Sequence, residues 1–292
     1  MTQVRFKQVD VFTAERFKGN PVAVVMEADG LSDAQMQQIA NWTNLSETTF
    51  VLSTRAAGAD YRLRIFTPQA ELPFAGHPTI GTAHALLEAG VIRASEGVIV
   101  QECAAGLVRL EVAVDPAGRQ LIAFELPEPG LTALRADHVD ELQAMLGTPI
   151  VREFPPTLVD VGARWIVVQL HDAQAVLDNC PDMQRLRMHD LQAGETGVLV
   201  FGRYPHGSPA GVEVRAYAPA CGIDEDPVCG SGNGAMAAFI RHTGQIGAFG
   251  RDLLASQGVK VGRAGSIHLH IGDEVITVGG HAVTCIDGVI HL

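Results

Sequence analysis

The sequence has few cysteines, few basic residues and no long apolar segment, and each shortage excludes a class of protein. Its 292 residues include five cysteines, an odd number scattered along the chain, so a disulfide framework is not expected. No apolar run approaches the roughly 20 residues of a membrane-spanning helix. The N-terminus lacks the apolar segment of a signal peptide. These shortages predict a soluble cytoplasmic protein.

The shortage of basic residues argues against a polyanionic partner. Lysine and arginine number 21 against 33 acidic residues, for a net charge of −12. Nucleic acids and anionic membranes are therefore not expected partners. An anionic small molecule is still compatible with this charge, because local dipoles govern a binding pocket. A hydrophobic content of 47% is sufficient for a packed core in each of two domains.

Familiar cofactor and metal motifs are absent as well. The chain has no G-K-[ST] phosphate loop, and its Gly230–Gly234 segment does not follow the dinucleotide-binding pattern. His268 and His270 are two residues apart on a predicted strand, but no cysteine or acidic residue has metal-site spacing to them. We therefore predict no metal site and no cofactor.

What the sequence does contain is an internal repeat. A glycine-rich turn followed by an apolar helix occurs at residues 71–90 and again at residues 225–244. Four residues match at a constant offset of 154: Glu71, Pro73, Gly76 and Gly90 with Glu225, Pro227, Gly230 and Gly244. A period of about 150 residues is too long for a solenoid and suits two domain-sized copies.

The repeat extends upstream with small gaps and predicts the architecture. Residues 66–68 resemble 217–219, and residues 47–51 resemble 195–199. Strand-like runs dominate both halves, and helices are predicted at 33–42, 79–89, 138–146, 182–192 and 232–243. Ser32 is the predicted N-cap of the first of these helices and Asp137 that of the third. Helices 79–89 and 232–243 are apolar nearly all round and so must be enclosed by protein. We expect an α+β fold of two pseudo-symmetric halves, each a curled sheet or barrel around a central helix.

The expected domain boundaries follow from the same pattern. The first half covers residues 1–127 together with the C-terminal strand at 280–292, and the second half covers residues 128–279. The linker is placed at Pro127–Gly130, where the strand pattern breaks.

The two glycine-rich turns are candidate anion sites. The first backbone N–H groups of a helix have no partner within the helix, and the helix dipole adds partial positive charge there. Glycine allows a ligand to approach that backbone closely. Gly76 at one helix, and Gly230, Gly232 and Gly234 at the other, are therefore candidates to bind a carboxylate or phosphate.

Six short motifs occur together in this chain, at residues 17–21, 44–48, 66–68, 71–79, 225–227 and 230–231. Together they resemble one known family, the PhzF-like isomerases of phenazine biosynthesis, which are related in fold to diaminopimelate epimerase. The resemblance spans nearly the whole chain. It implies cofactor-independent proton transfer, an active site in the cleft between two halves, and a homodimer. Together with the candidate anion sites, it predicts an isomerase that shifts a proton, and with it a double bond or stereocentre, in a small carboxylated substrate.

The resemblance also assigns roles to individual residues. It places the catalytic glutamate at Glu47, a catalytic histidine at His77 and a catalytic aspartate at Asp226. It makes Ser231, with the amides of Gly76, Gly230 and Gly232, the groups that bind the substrate carboxylate. A buried glutamate with a raised pKa could take a C–H proton and return it elsewhere.

One departure from the family pattern leaves alternatives open. Position 229 carries a cysteine, where the family usually has threonine. Cys229 at a helix N-terminus would favour a thiolate and could be a second acid/base group. Its partner in a two-thiol racemase is missing, because Ala75 occupies the repeat position. The first alternative is therefore an amino-acid epimerase or racemase that uses Cys229. The second is a non-catalytic metabolite-binding or interaction protein on the same scaffold.

Overall fold

The computed structural model describes residues 3–291, which divide into two compact units. One unit is Met1–Glu125 with Gly279–Leu292, and the other is Leu126–Val278. The predicted boundary at residues 127 and 128 is close to this division. Residues 1, 2 and 292, which the predicted first half includes, lie outside the described residues. No described helix has both the length and the apolar character needed to cross a membrane.

The first unit contains nine strands and two helices among the described residues. Its strands are β1 (Gln3–Val11), β2 (Asn20–Val25), β3 (Glu47–Leu52), β4 (Tyr61–Phe66), β5 (Glu71–Leu72), β6 (Val98–Cys103), β7 (Gly106–Val114), β8 (Gln120–Glu125) and β18 (Ala282–His291). Its helices are α1 (Asp33–Thr43) and α2 (Gly76–Glu88). Strand β18 pairs antiparallel with β1, so the C-terminal strand returns to this unit.

Among the described residues the second unit also has nine strands, but five α-helices. Its strands are β9 (Gly130–Ala133), β10 (Thr157–Asp160), β11 (Arg164–Gln169), β12 (Gly197–Arg203), β13 (Val212–Ala218), β14 (Ile223–Asp226), β15 (Asp252–Gln257), β16 (Gly265–Ile271) and β17 (Ile276–Gly280), the last of which crosses the division. Its helices are α3 (Ala136–Leu146), α4 (Ala173–Asp178), α5 (Met183–Ala193), α6 (Gly230–His242) and α7 (Ile246–Phe249).

Strand pairing shows the duplication directly. In the first unit β1 to β2 is antiparallel, β2 to β3 parallel, β3 to β4 antiparallel, β4 to β6 parallel and β6 to β7 antiparallel. In the second unit β10, β11, β12, β13, β15 and β16 follow the same sequence of directions. The similarity read from the sequence is therefore a repeat of topology.

A buried helix lies against the sheet of each unit. Helix α2 contacts β1, β2, β3, β8 and β18, and helix α6 contacts β10, β11, β12 and β16. Most of their residues are buried, as the nearly uniform apolar sequences require. The predicted fold, a curled sheet around a central helix in each half, is confirmed.

Equivalent polar contacts reinforce the repeat. In the first unit the Arg64 guanidinium donates two hydrogen bonds of 2.7 Å to the Glu71 carboxylate. In the second unit Arg215 pairs in the same bidentate way with Glu225, at 3.1 and 2.7 Å. The second pair is the more buried, with side chains 8% and 6% exposed against 23% and 35% for the first.

The start of helix α1 agrees with the prediction, whereas the starts of α2 and α3 differ from it. Ser32 caps α1 as predicted, in a reciprocal capping box with Gln35. Helix α2 begins three residues earlier than predicted, because Pro78 falls in the first turn, where its missing N–H is not needed. The predicted cap Asp137 is wrong: Arg135 holds the N-cap position of α3, and Asp137 lies in the first turn.

Candidate active site

The first group of predicted residues lies where β3 and α2 begin. Glu47 is the first residue of β3, directly after the tight turn that ends α1 at Asn44, whose backbone is left-handed. Strand β3 is parallel to β2, with Glu47 opposite Val22. The Thr82 hydroxyl on α2 donates a buried hydrogen bond of 2.9 Å to the Thr49 hydroxyl, which fixes the strand against the helix.

His77 lies in the first turn of α2 and faces Glu47. Its Nε2 is 3.2 Å from Oε2 of Glu47, and the two side chains are 9% and 15% exposed. Sequence reasoning assigned both residues from the family resemblance, and the structure brings them together in one unit. A carboxylate and an imidazole at this distance can exchange a proton or hold one between them.

Burial changes the acidity of Glu47. Removal from water raises the pKa of this carboxyl to about 7, and the neighbouring Ser46 hydroxyl offsets part of the increase. A carboxyl with this pKa is present in both protonation states near neutral pH. It can therefore act as a base in one step and as an acid in the next.

The raised pKa of Glu47 predicts a pH-dependent stability. An ordinary glutamate has a pKa of 4.5, whereas Glu47 in the folded chain has a pKa of about 7. The folded state thus holds this proton more tightly, so the stabilisation is present below pH 4.5 and is lost as the pH rises through 7. The loss amounts to about 3 kcal/mol.

Glu47→Gln lacks this titration. Urea unfolding of both proteins from pH 4.5 to 8 should therefore show the wild-type free energy of unfolding falling relative to that of the variant. Parallel curves over this range would contradict the assigned pKa of Glu47.

The second group of predicted residues lies in the turn that leads into α6. The Asp226 carboxylate accepts a hydrogen bond from the backbone N–H of Val228 at 3.1 Å. Cys229 is the N-cap, and its sulfur accepts from the backbone N–H of Gly232 at 3.3 Å. The Trp165 indole donates to the Ser231 hydroxyl at 3.0 Å, and the same hydroxyl lies 3.6 Å from the Cys229 sulfur, within hydrogen-bond range.

Cys229 occupies the predicted helix N-terminus, but its surroundings oppose ionisation. Burial, and secondly the nearby Asp226 carboxylate, raise the pKa of the thiol well above its usual value. The expectation that the helix N-terminus favours a thiolate is therefore wrong for this site. The desolvation of a fully enclosed sulfur outweighs the dipole and the Gly232 hydrogen bond.

At two glycines of these turns, close packing leaves no room for a larger residue. A Cβ at Gly76 would lie 2.6 Å from Cζ of Phe124, and one at Gly232 would lie 2.7 Å from Cδ1 of Leu199. Gly76 and Gly230 are the first residues of α2 and α6, where backbone N–H groups lack helical partners. Their role in binding a carboxylate, together with that of Gly232, stays a prediction.

Two residues that sequence reasoning missed support the helix starts. Gln257 accepts hydrogen bonds from the Cys229 backbone and the Asn233 amide and donates to the Asp226 carbonyl. In the first unit, Gln101 donates to Thr79 at 3.1 Å in the corresponding place. Both glutamines are fully buried and come from distant strands, so no local pattern marks them.

Other polar features lie apart from these groups. Glu195, the repeat partner of Glu47, lies beside His189 and Asp190. His270 pairs with Asp252 at 2.7 Å on an exposed part of the sheet. A surface cavity of about 470 Å³ in the first unit is lined by charged residues that include Arg62, Arg64 and Glu102, and none of the predicted site residues lines it.

Comparison with known proteins agrees with this architecture. The family model described as phenazine biosynthesis-like protein, PhzC-PhzF, matches residues 9–288. "Antisense-enhancing sequence 1" of Schizosaccharomyces pombe is 42% identical, and the alignment covers 99% of each chain. Trans-2,3-dihydro-3-hydroxyanthranilate isomerase of Pseudomonas chlororaphis is 35% identical, over 97% of this chain and 98% of the relative.

Solved structures match the fold over nearly the whole length. A Bacillus anthracis PhzF-family protein superposes with a TM-score of 0.87 and 24% identity, covering all of both chains. A hydroxyproline epimerase from Agrobacterium vitis gives a TM-score of 0.64 at 16% identity, covering 99% of this chain and 92% of that chain. At these identities the likeness concerns the fold alone.

The fold is thus of the epimerase-like class, in which a curled sheet with a central helix occurs twice. Within that class, this chain belongs to the PhzC-PhzF family of phenazine biosynthesis-like proteins. The predicted family is confirmed. The predicted enzyme class, isomerase, is confirmed by the names of several relatives.

Proposed function

We propose that this protein is a cofactor-independent isomerase that moves a proton within a small carboxylated substrate, with Glu47 as the acid/base group. The observation that carries the proposal is the buried Glu47 carboxyl, with a pKa of about 7, at 3.2 Å from His77. The name of the Pseudomonas chlororaphis relative supports the same reaction type.

The proposed reaction uses one group twice. Ionised Glu47 removes a proton from an activated C–H bond, so that an O–H bond forms while the electron pair shifts a double bond along the substrate. The same O–H then delivers the proton to another carbon, which restores the carboxylate. Atoms and electrons balance without an oxidant, and a pKa near 7 suits both half-steps.

The remaining predicted residues have supporting roles in the proposal. His77 holds the Glu47 proton or hydrogen-bonds the substrate carboxylate, and Asp226 accepts a hydrogen bond from a substrate amine or hydroxyl. Ser231, with the amides of Gly76, Gly230 and Gly232, donates hydrogen bonds to carboxylate. The homodimer, which the resemblance implies, and the cytoplasmic location, which the composition predicts, are part of the proposal.

The experiment is turnover of trans-2,3-dihydro-3-hydroxyanthranilate in deuterated water, followed by mass spectrometry of the product. This is the compound in the relative's name, and small amino and hydroxy acids form the comparison panel. Isomerised product or deuterium gain in any member supports the proposal. Neither isomerised product nor deuterium gain in any member, with a folded protein, favours the non-catalytic alternative.

The epimerase alternative depends on Cys229, and the structure gives this residue a capping contact instead. Threonine has a side-chain oxygen that can accept the Gly232 N–H in place of the sulfur, so Cys229→Thr preserves the cap. We expect Cys229→Thr to retain turnover within about threefold, whereas loss of an acid/base group costs about 10²-fold or more.

Steady-state kinetics of Cys229→Thr and thiol alkylation of the wild-type protein measure this. A 10²-fold loss in the variant, with inactivation by alkylation that substrate prevents, would establish the epimerase alternative.

A further inference from the structure

Three potential metal ligands meet beside the end of α5 in the second unit. His189 and Asp190 lie in the last turns of this helix, and Glu195 lies in the short connection to β12. Nδ1 of His189 is 3.2 Å from Oδ1 of Asp190 and 3.6 Å from Oε2 of Glu195. One ligand atom from each residue lies within 4.8 Å of the other two.

One carboxylate oxygen of Asp190 and one of Glu195 are buried without a hydrogen-bond partner, whereas Oδ1 of Asp190 is bonded to the His189 ring. The Asp190 side chain is fully buried, and its Oδ2 has no hydrogen-bond partner. The Glu195 side chain is 10% exposed, and its Oε2 likewise has no hydrogen-bond partner. A buried oxygen of this kind carries a desolvation cost that a cation would remove.

The neighbouring charges do not satisfy these oxygens. The Arg164 guanidinium acts on the charge of Glu195, but its Nη1 donates to the carbonyls of Ala193 and Gly194. The His138 ring contacts the His189 ring edge to face, at 6.4 Å between centroids. Two carboxylates and one imidazole thus carry excess negative charge, even with the imidazole protonated.

We propose that His189, Asp190 and Glu195 bind a divalent first-row transition-metal ion. One imidazole nitrogen and two carboxylate oxygens suit Zn²⁺, Co²⁺ or Mn²⁺. Ligand bonds of about 2.0–2.1 Å in a tetrahedral site place ligand atoms roughly 3.3 Å apart, close to the two distances from His189. Binding replaces the hydrogen bond between His189 and Asp190, and water completes the coordination.

The ion would tie the end of α5 to the start of β12. Glu195 occupies the repeat position of Glu47, so the two units use equivalent glutamates differently. In the first unit this glutamate faces a histidine on the central helix, and in the second it faces two residues of the preceding helix. The proposed ion has a structural role, separate from the isomerase reaction.

The test is titration of the metal-free full-length protein with Co²⁺, followed by visible absorption and calorimetry. We expect one ion per chain and d–d absorption without a thiolate charge-transfer band, which separates this site from Cys221 and the other thiols. Asp190→Asn and Glu195→Gln should each weaken binding by at least about 100-fold. Circular dichroism verifies that both variants are folded.

His270→Gln is the matched control, because it removes an exposed histidine–aspartate pair in the same unit. It should bind Co²⁺ like the wild-type protein. A wild-type Kd weaker than about 1 mM overturns the proposal, as does tight binding that survives both Asp190→Asn and Glu195→Gln. If those variants fail to fold, Zn²⁺ must shift the Nδ1 resonance of His189 in the ¹⁵N-histidine-labelled wild-type protein, and an unshifted resonance overturns the proposal.

Discussion

Replacing Glu47 with glutamine is expected to lower the rate of isomerisation by about 10²–10⁴-fold, the range for loss of a general acid/base group. Glutamine has nearly the same shape as glutamate but neither takes up nor releases a proton near neutral pH. Contacts that depend on shape should persist, so KM should change much less than kcat. The measurement is steady-state kinetics with whichever panel substrate the wild-type protein converts.

The matched control is Glu213→Gln. Glu213 is also buried, burial also raises its pKa, and its carboxylate bonds to Tyr204 and Ser256 in the second unit. This variant should retain turnover, which separates loss of the acid/base group from a general effect of removing a buried charge. Equal losses in both variants, or a Glu47→Gln enzyme within threefold of wild type, would contradict the assignment of Glu47.

A large loss of stability is expected when the buried copy of the repeated arginine–glutamate pair is broken. Arg215→Met is expected to lower the free energy of unfolding by about 3–5 kcal/mol, because it leaves the Glu225 carboxylate buried without its partner. Arg215 also donates to the carbonyls of Val176 and Asn179, and these acceptors would lose a donor. Urea unfolding measures the change.

Arg64→Met provides the comparison within the same protein. It breaks the equivalent bidentate contact in the first unit, where Glu71 is 35% exposed and water can solvate the carboxylate that remains. The expected cost is about 1 kcal/mol or less. Equal costs for Arg64→Met and Arg215→Met would show that burial does not determine the strength of this pair.

Local chemistry explains which parts of the fold the sequence could predict. Helix α1 begins at a capping box formed by Ser32 and Gln35, and helix α3 ends at Gly147, whose backbone is left-handed. The start of α1 and the end of α3 are therefore each encoded within a few residues. Helix α4 has only six residues and no clear periodicity, and it was missed. The start of α2 was misplaced because Gly-His-Pro reads as a turn when packing is unknown.

For the candidate site, the sequence predicted which residues are involved but not their acidity or their supporting hydrogen bonds. The family motifs identified Glu47 and His77 as candidate catalytic residues. The local sequence pattern alone does not predict that these two side chains lie close together. The acidity of Glu47 and Cys229 depends on which groups surround them in the fold, and the sequence does not contain that information in any local window. The same holds for Gln101 and Gln257, whose hydrogen bonds join strands to helices far away in the chain.

The most direct measurement of the central claim is the isotope content of product formed in deuterated water. If Glu47 carries the proton and exchanges it with solvent between the two half-steps, the wild-type protein should place deuterium at the carbon that receives the proton, and Glu47→Gln should do so at least about 10²-fold more slowly. Deuterium incorporation by Glu47→Gln at the wild-type rate would show that another group moves the proton.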